Sequence, residues 1–125
     1  MKIAVSAEGD TIESRMDLRF GRTPFFLIID RDTGDCEPVD NEAASASGGA
    51  GIAAAQMIVD KGAKILITGN VGPNAMKVLR AGDGSIYKGR QAPVRENMEY
   101  FQKGLLPEIE TTVPAHFGMG GQGRR

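Results

Sequence analysis

The sequence has no tryptophan, one histidine and one cysteine among 125 residues. A lone cysteine cannot close an internal disulfide, so the fold must rest on packing, and such usage fits a reducing compartment. A lone histidine rules out a two-histidine metal site. That residue, His116, also falls in a glycine-rich C-terminal stretch, which takes a histidine-based catalytic dyad out of the folded part. Charge of one sign is missing too. Fifteen basic residues against sixteen acidic leave a formal −1, too little for a field that grips nucleic acid or an anionic membrane, so any anion site must be local. Long apolar runs are absent: residues 50–59 reach about half the length of a bilayer span. The apolar run after Met1 meets Glu8 and Asp10 too soon for a signal peptide. These absences predict a cytoplasmic protein of one domain, long enough to bury a core of its own.

What is present is a change of hydrophobic period along the chain. Residues 2–6 and 24–30 are short apolar runs closed by EGD and RDTG, and both read as strands. Residues 35–40 follow closely enough to make a hairpin, with Pro38 placing that strand at an edge. From Gly48 to Gly62 apolar residues occupy nearly every face, the pattern of a mostly buried helix. A strand over 64–69, a helix from Pro73 with Ala75, Val78 and Leu79 inward, a strand at SIYKG and a helix from Pro93 burying Val94, Met98 and Phe101 complete the order. The result is an α/β fold, a mixed sheet with helices on both faces: a three-strand antiparallel meander followed by alternating helices and parallel strands. Residues 11–14, TIES, are a candidate extra strand that would upset this parity. Residues 1–106 form the domain, and 107–125, with four glycines between 118 and 123, read as a mobile tail.

If the first strand runs up, three features meet at the top: the loop through Arg19, Phe20, Gly21 and Arg22; the helix start at Ser47, Gly48 and Gly49; and the turn Gly69, Asn70, Val71, Gly72. A helix start carries unpaired N–H groups and about half a positive charge, so two of them facing an arginine loop make an anion site. Phe20 can anchor the loop while Gly21 permits the turn, letting both arginines reach over the cleft. The plainer alternative is that Arg19 and Arg22 are ordinary solvated charges.

Other motifs are weaker. GAGIAA at 49–54 matches G-x-G-x-x-A but follows a loop, with no acidic residue about 20 positions later, and the glycine run at 118–123 has no strand before it. Cys36, on the edge strand, reads as a plain thiol. Asp10, Asp17, Asp30, Asp32, Asp35 and Asp40 could gather around magnesium, but most stand in turns where aspartate is common anyway.

MKIAV, the F-G-R-x-P-x-F run at 20–26, GGAGIAAA, G-N-V-G-P-N-A at 69–75 and I-Y-K-G at 86–89 together resemble the dinitrogenase iron–molybdenum cofactor biosynthesis family, from Met1 to about Leu106. The resemblance implies a ribonuclease H-like three-layer fold and a non-catalytic carrier of an anionic molybdenum–sulfur cluster, with or without copper, or of an iron–molybdenum cofactor precursor. It also implies a protein that receives the cluster. Many relatives carry histidine before the F-G pair where this chain has Arg19. That change favours holding the cluster by charge and N–H contacts over direct ligation. The nuclease chemistry of ribonuclease H-like folds needs carboxylates on the sheet, and the first strand offers Ile3, Ala4 and Val5. Two other classes stay open on the residues: a magnesium-dependent nuclease or phosphoryl-transfer enzyme, and a regulatory protein-interaction module.

Overall fold

The computed structural model describes residues 1–45 and 48–110. Five strands and three helices follow the expected order: β1 Lys2–Ala7, β2 Phe25–Asp30, β3 Cys36–Asp40, a single 3-10 turn at Glu42–Ser45, α1 Ala50–Asp60, β4 Ala63–Thr68, α2 Pro73–Ala81, β5 Ser85–Lys88 and α3 Val94–Gln102. The sheet order is β3-β2-β1-β4-β5. The β1–β2 and β2–β3 pairs are antiparallel, whereas β1–β4 and β4–β5 are parallel.

Strand periodicity explains the layers, since successive side chains alternate between sheet faces. Ala4, Phe26, Ile28, Leu66 and Ile86 point to one face and are covered by Ala54, Ala55 and Ile58 of α1 and Ala75, Met76 and Leu79 of α2. Ile3, Val5, Leu27, Ile29 and Ile67 point to the other, under Val94 of α3 together with Met16 and Leu106. The sheet is therefore a middle layer, which is why β1 and β2 read as nearly continuous apolar runs. Among the described residues no helix is long and apolar enough to cross a membrane.

Two expectations are corrected. TIES is a turn, closed by the Ser14 N–H donating to the Thr11 carbonyl at 2.9 Å, so the up-and-down parity stands. Residues 107–110, expected as part of a mobile tail, are docked on the fold. The Lys88 N–H donates to the Pro107 carbonyl (2.9 Å) and the Ile109 N–H to the Ile86 carbonyl (2.7 Å), laying this segment along the open edge of β5. Ile109 packs on the core, an anchor too short and isolated to show as a strand period. Residues 111–125, with His116, lie outside the described residues.

One buried polar residue organises the start of α3. Asn97 is fully buried; its Oδ1 accepts the Arg90 N–H at 2.7 Å, and its Nδ2 donates to the carbonyls of Arg90, Ala92 and Pro93. It thereby ties the loop between β5 and α3 together, accepting the Arg90 N–H and adding a second donor to carbonyls that each already accept a backbone N–H.

Candidate functional site

Because β1 and β4 are parallel neighbours, their carboxyl ends open side by side, at the point where chain connections leave in opposite directions along the sheet. The loop after Ala7 and the turn after Thr68 meet there. Leu18 accepts the Asn70 N–H at 3.1 Å, which ties the two segments together. Glycine makes the contact: a Cβ on Gly69 would lie 2.7 Å from the Leu18 Cα and strike its carbonyl as well. A Cβ on Gly21 would lie 3.0 Å from the Gly51 nitrogen, so the same loop rests on the first turn of α1.

Below them, the buried hydroxyls of Ser6 and Thr68 stand 2.7 Å apart and bridge the ends of β1 and β4. Ser6 also holds Asp17 in both directions, its Oγ donating to the Asp17 carbonyl at 2.5 Å and its own carbonyl accepting the Asp17 N–H at 2.9 Å. Thr23 donates its hydroxyl to the Ala7 carbonyl at 2.8 Å. Asn41, buried, donates to the carbonyls of Gly21 and Thr23. The loop that carries the arginines is thus pinned at several backbone points.

Between these pieces lies a cleft of about 290 Å³ lined by Phe20, Gly21, Gly49, Gly51, Ile52, Asn70, Gly72, Pro73, Asn74 and Ala75. Among the described residues no carboxylate lines it. Both α1 and α2 begin here, neither has a side-chain cap, and neither has an acidic residue in its first turn. Among the described residues no acceptor meets the N–H groups of Ala50, Gly51, Ile52, Asn74 or Ala75. Pro73 at the head of α2 removes one donor that would otherwise be bare. Two positive dipole ends therefore share one hollow, a geometry that selects for an anion. Phe20, tilted against Phe26 with ring centroids 5.4 Å apart, and Ile52, 43% exposed, give the hollow an apolar side.

The predicted site residues divide. Phe20, Gly21, Gly49, Asn70 and Gly72 line the cleft. Gly48 is exposed beside it, and Ser47 lies outside the described residues. Gly69 and Val71 are buried beneath it and act as supports. Arg19 and Arg22 come to the same end of the molecule but are not among the residues that line the cleft. The Arg19 Nε and Nη2 donate to the two carboxylate oxygens of Asp17, at 3.0 and 2.7 Å. Arg22 donates from Nη1 to the Ala44 carbonyl at 2.8 Å. The physical reason is proximity: a fork two residues from a fixed carboxylate closes on it.

Asp17, 4% exposed, which could in principle have joined a magnesium cluster, is instead engaged by Arg19. The Arg19 guanidinium holds its carboxyl below the usual carboxylate range against the opposing effect of burial, and the Arg19 N–H adds to this. The other aspartates do not converge either: Asp30 accepts N–H groups from its own turn and Asp32 pairs with the Met1 amine at 3.0 Å. Among the described residues no three acidic, histidine or cysteine side chains gather as metal ligands. Cys36 is half-buried, and burial pushes its thiol upward.

Sequence reasoning missed Asp17 as the partner of Arg19, and Ile52 and Asn74 as lining residues. The D-x-R spacing at 17–19 was a readable signal for the first. Asn74, directly after the predicted turn and Pro73, was readable for the last; nothing marked Ile52 apart from its helical neighbours.

The family described as dinitrogenase iron-molybdenum cofactor matches residues 1–104 of the chain. The apo form of the orange protein from Desulfovibrio gigas is 38% identical over 87% of this chain and 92% of its own, with a TM-score of 0.83. A Thermotoga protein provisionally named NifB is 34% identical over 88% of this chain and 94% of its own, with a TM-score of 0.78. An uncharacterized protein of Methanocaldococcus jannaschii is 28% identical over 113 residues, 88% of this chain and 92% of its own.

Proposed function

The chain belongs to the dinitrogenase iron-molybdenum cofactor family, and from that premise we propose that it is a cytoplasmic, non-catalytic carrier of an anionic molybdenum–sulfur cluster. The observation that carries this reading is the pair of uncapped helix starts, with N–H groups that meet no acceptor among the described residues, opening into one cleft that no described carboxylate lines. A thiomolybdate-type species is a bulky anion with soft sulfur edges. Helix N–H groups meet its charge, and Phe20 and Ile52 offer an apolar surface to its sulfur. Holding without ligation suits a carrier, because release to a receiving protein then breaks no metal–protein bond. The strand order β3-β2-β1-β4-β5 supports a ribonuclease H-like reading of the fold, with its nuclease carboxylates absent from β1.

The test is uptake. Purified protein titrated with tetrathiomolybdate, alone and with copper(I), should gain a visible charge-transfer band saturating near one cluster per chain or per pair of chains. Asn74→Asp, which sets a carboxylate on the first turn of α2, should weaken uptake while leaving the fold intact. A wild-type protein that gains no absorption under either condition is not a carrier of this cluster class.

A further inference from the structure

The bidentate pair of Arg19 with Asp17, next to the cleft-lining Phe20 and bridged to Asn70 through the Arg19 backbone, bears on a role for Asp17 that goes beyond this carrier reading while resting on it. Asp17 is buried and locked to β1 through both of its backbone groups by Ser6. Arg19 is the opposite, with a side chain 65% exposed. An exposed arginine ordinarily samples many rotamers, and ordering it costs entropy when it grips a ligand. Here the Nε–H and one Nη2–H are already engaged by a carboxylate that cannot move. Three of the five guanidinium N–H donors remain, and no other acceptor among the described residues meets them. Arg19 itself stands between Leu18, which holds the Asn70 N–H, and Phe20, which lines the cleft.

We infer that Asp17 is a positioning residue: it fixes the Arg19 guanidinium as an oriented cation at the rim, with its unused N–H groups available to the bound anion. Asp17 touches no ligand in this scheme and acts only through Arg19. The arrangement makes a prediction opposite to that of simple charge. Removing a negative charge close to an anion site should tighten binding by electrostatics alone. If Asp17 positions Arg19, removing it should weaken binding.

The experiment combines binding and spectroscopy on the full chain. Asp17→Asn should bind tetrathiomolybdate about three- to tenfold more weakly than wild type, a loss in keeping with an arginine fork that is no longer ordered. Arg19→Lys, which keeps the charge at an exposed position but loses the fork, should show a similar loss. The double variant should be no weaker than Arg19→Lys alone, since Asp17 then has nothing to position. In the ligand-free protein the Arg19 Nε–H should give a slowly exchanging NMR signal that disappears in Asp17→Asn. That readout stands even if the asparagine variant is too unstable for titration, because Arg19→Lys supplies the binding arm. Wild-type uptake with equal or tighter binding by Asp17→Asn or Arg19→Lys overturns the inference alone, as does a wild-type Nε–H that exchanges freely. No uptake by wild type overturns the carrier reading and this role with it.

Discussion

The start of α3 and the starts of α1 and α2 present the same chemical problem and receive opposite solutions. At α3 the Val94 and Arg95 N–H groups donate to the Ser14 and Ile12 carbonyls, at 2.8 and 2.9 Å, Glu96 adds a carboxylate to the first turn, and Asn97 closes the preceding loop. At α1 and α2 the corresponding donors have no acceptor among the described residues and no acidic neighbour in the first turn. A helix start satisfied by its own chain is a structural joint. One left unsatisfied at a concave surface is a place where something else supplies the acceptor. The presence of a dipole does not separate the two; the accounting of its N–H groups does.

Perturbing the sealed end should change stability without touching uptake. Asn97→Ala removes the side-chain acceptor of the Arg90 N–H and one of the two donors at each of the Arg90, Ala92 and Pro93 carbonyls, a loss on the order of 1–3 kcal/mol. Chemical denaturation should show that fall while the folded fraction still takes up tetrathiomolybdate with wild-type affinity. Altered affinity there would dissolve the distinction between the two ends.

At the open end the largest structural effect should come from Gly69→Ala. Its methyl group meets the Leu18 backbone, which cannot step aside as a flexible side chain would. Overpacking of this kind costs about 1–3 kcal/mol, and uptake should fall too, because this contact holds the loop and the turn together. Uptake unchanged in a destabilised Gly69→Ala protein would show that the loop does not contribute to the cleft.

Asn74→Asp sharpens the contrast by giving the two properties opposite signs. A carboxylate in the first turn of α2 should stabilise the helix by about 0.3–1 kcal/mol. The same charge should weaken anion binding by roughly tenfold at low salt, less as salt screens it. Tighter binding of tetrathiomolybdate by a more stable variant would mean that the start of α2 does not hold the anion.

The smallest effect concerns pH. The folded-state value of Asp17 is lowered, chiefly by Arg19, so its contribution is present above the unfolded value of about 3.9 and is lost as pH falls through the folded value. Thermal midpoints of wild type and Asp17→Asn should therefore differ most above about pH 4 and converge below it. Solvent screening at the exposed Arg19 keeps the difference small. Glu13, Asp30 and Glu37 shift in the same direction and remain in the variant, so the acid limb of Asp17→Asn should flatten only in part relative to wild type.

Most of the fold was legible because its signals are local. Period-two and nearly continuous apolar runs mark β1 and β2, the glycine at each end brackets α1, and Pro73 and Pro93 mark the heads of α2 and α3. Parity then placed the loop at 17–22 and both helix starts at one pole without any knowledge of contacts. What stayed hidden depends on side-chain direction and on isolated contacts. Arg19 and Arg22 were placed at this end of the molecule, but Asp17 and the Ala44 carbonyl as their acceptors were not, since only coordinates show which acceptor a long cation finds. Asn97 looks like an ordinary polar residue of an amphipathic helix until its loop is folded around it. The docking of Ile109 on β5 is two hydrogen bonds and one side chain, below the threshold of any periodicity.

The central claim is that the bare N–H groups of two helix starts hold the anion, and amide NMR during tetrathiomolybdate titration addresses those groups one by one. The resonances of Ala50, Gly51, Ile52, Asn74 and Ala75 should shift together and saturate with the visible band, while Val94 and Arg95 at the sealed helix stay still. Saturable uptake that leaves the first five unmoved, or that moves α3 instead, would contradict the account.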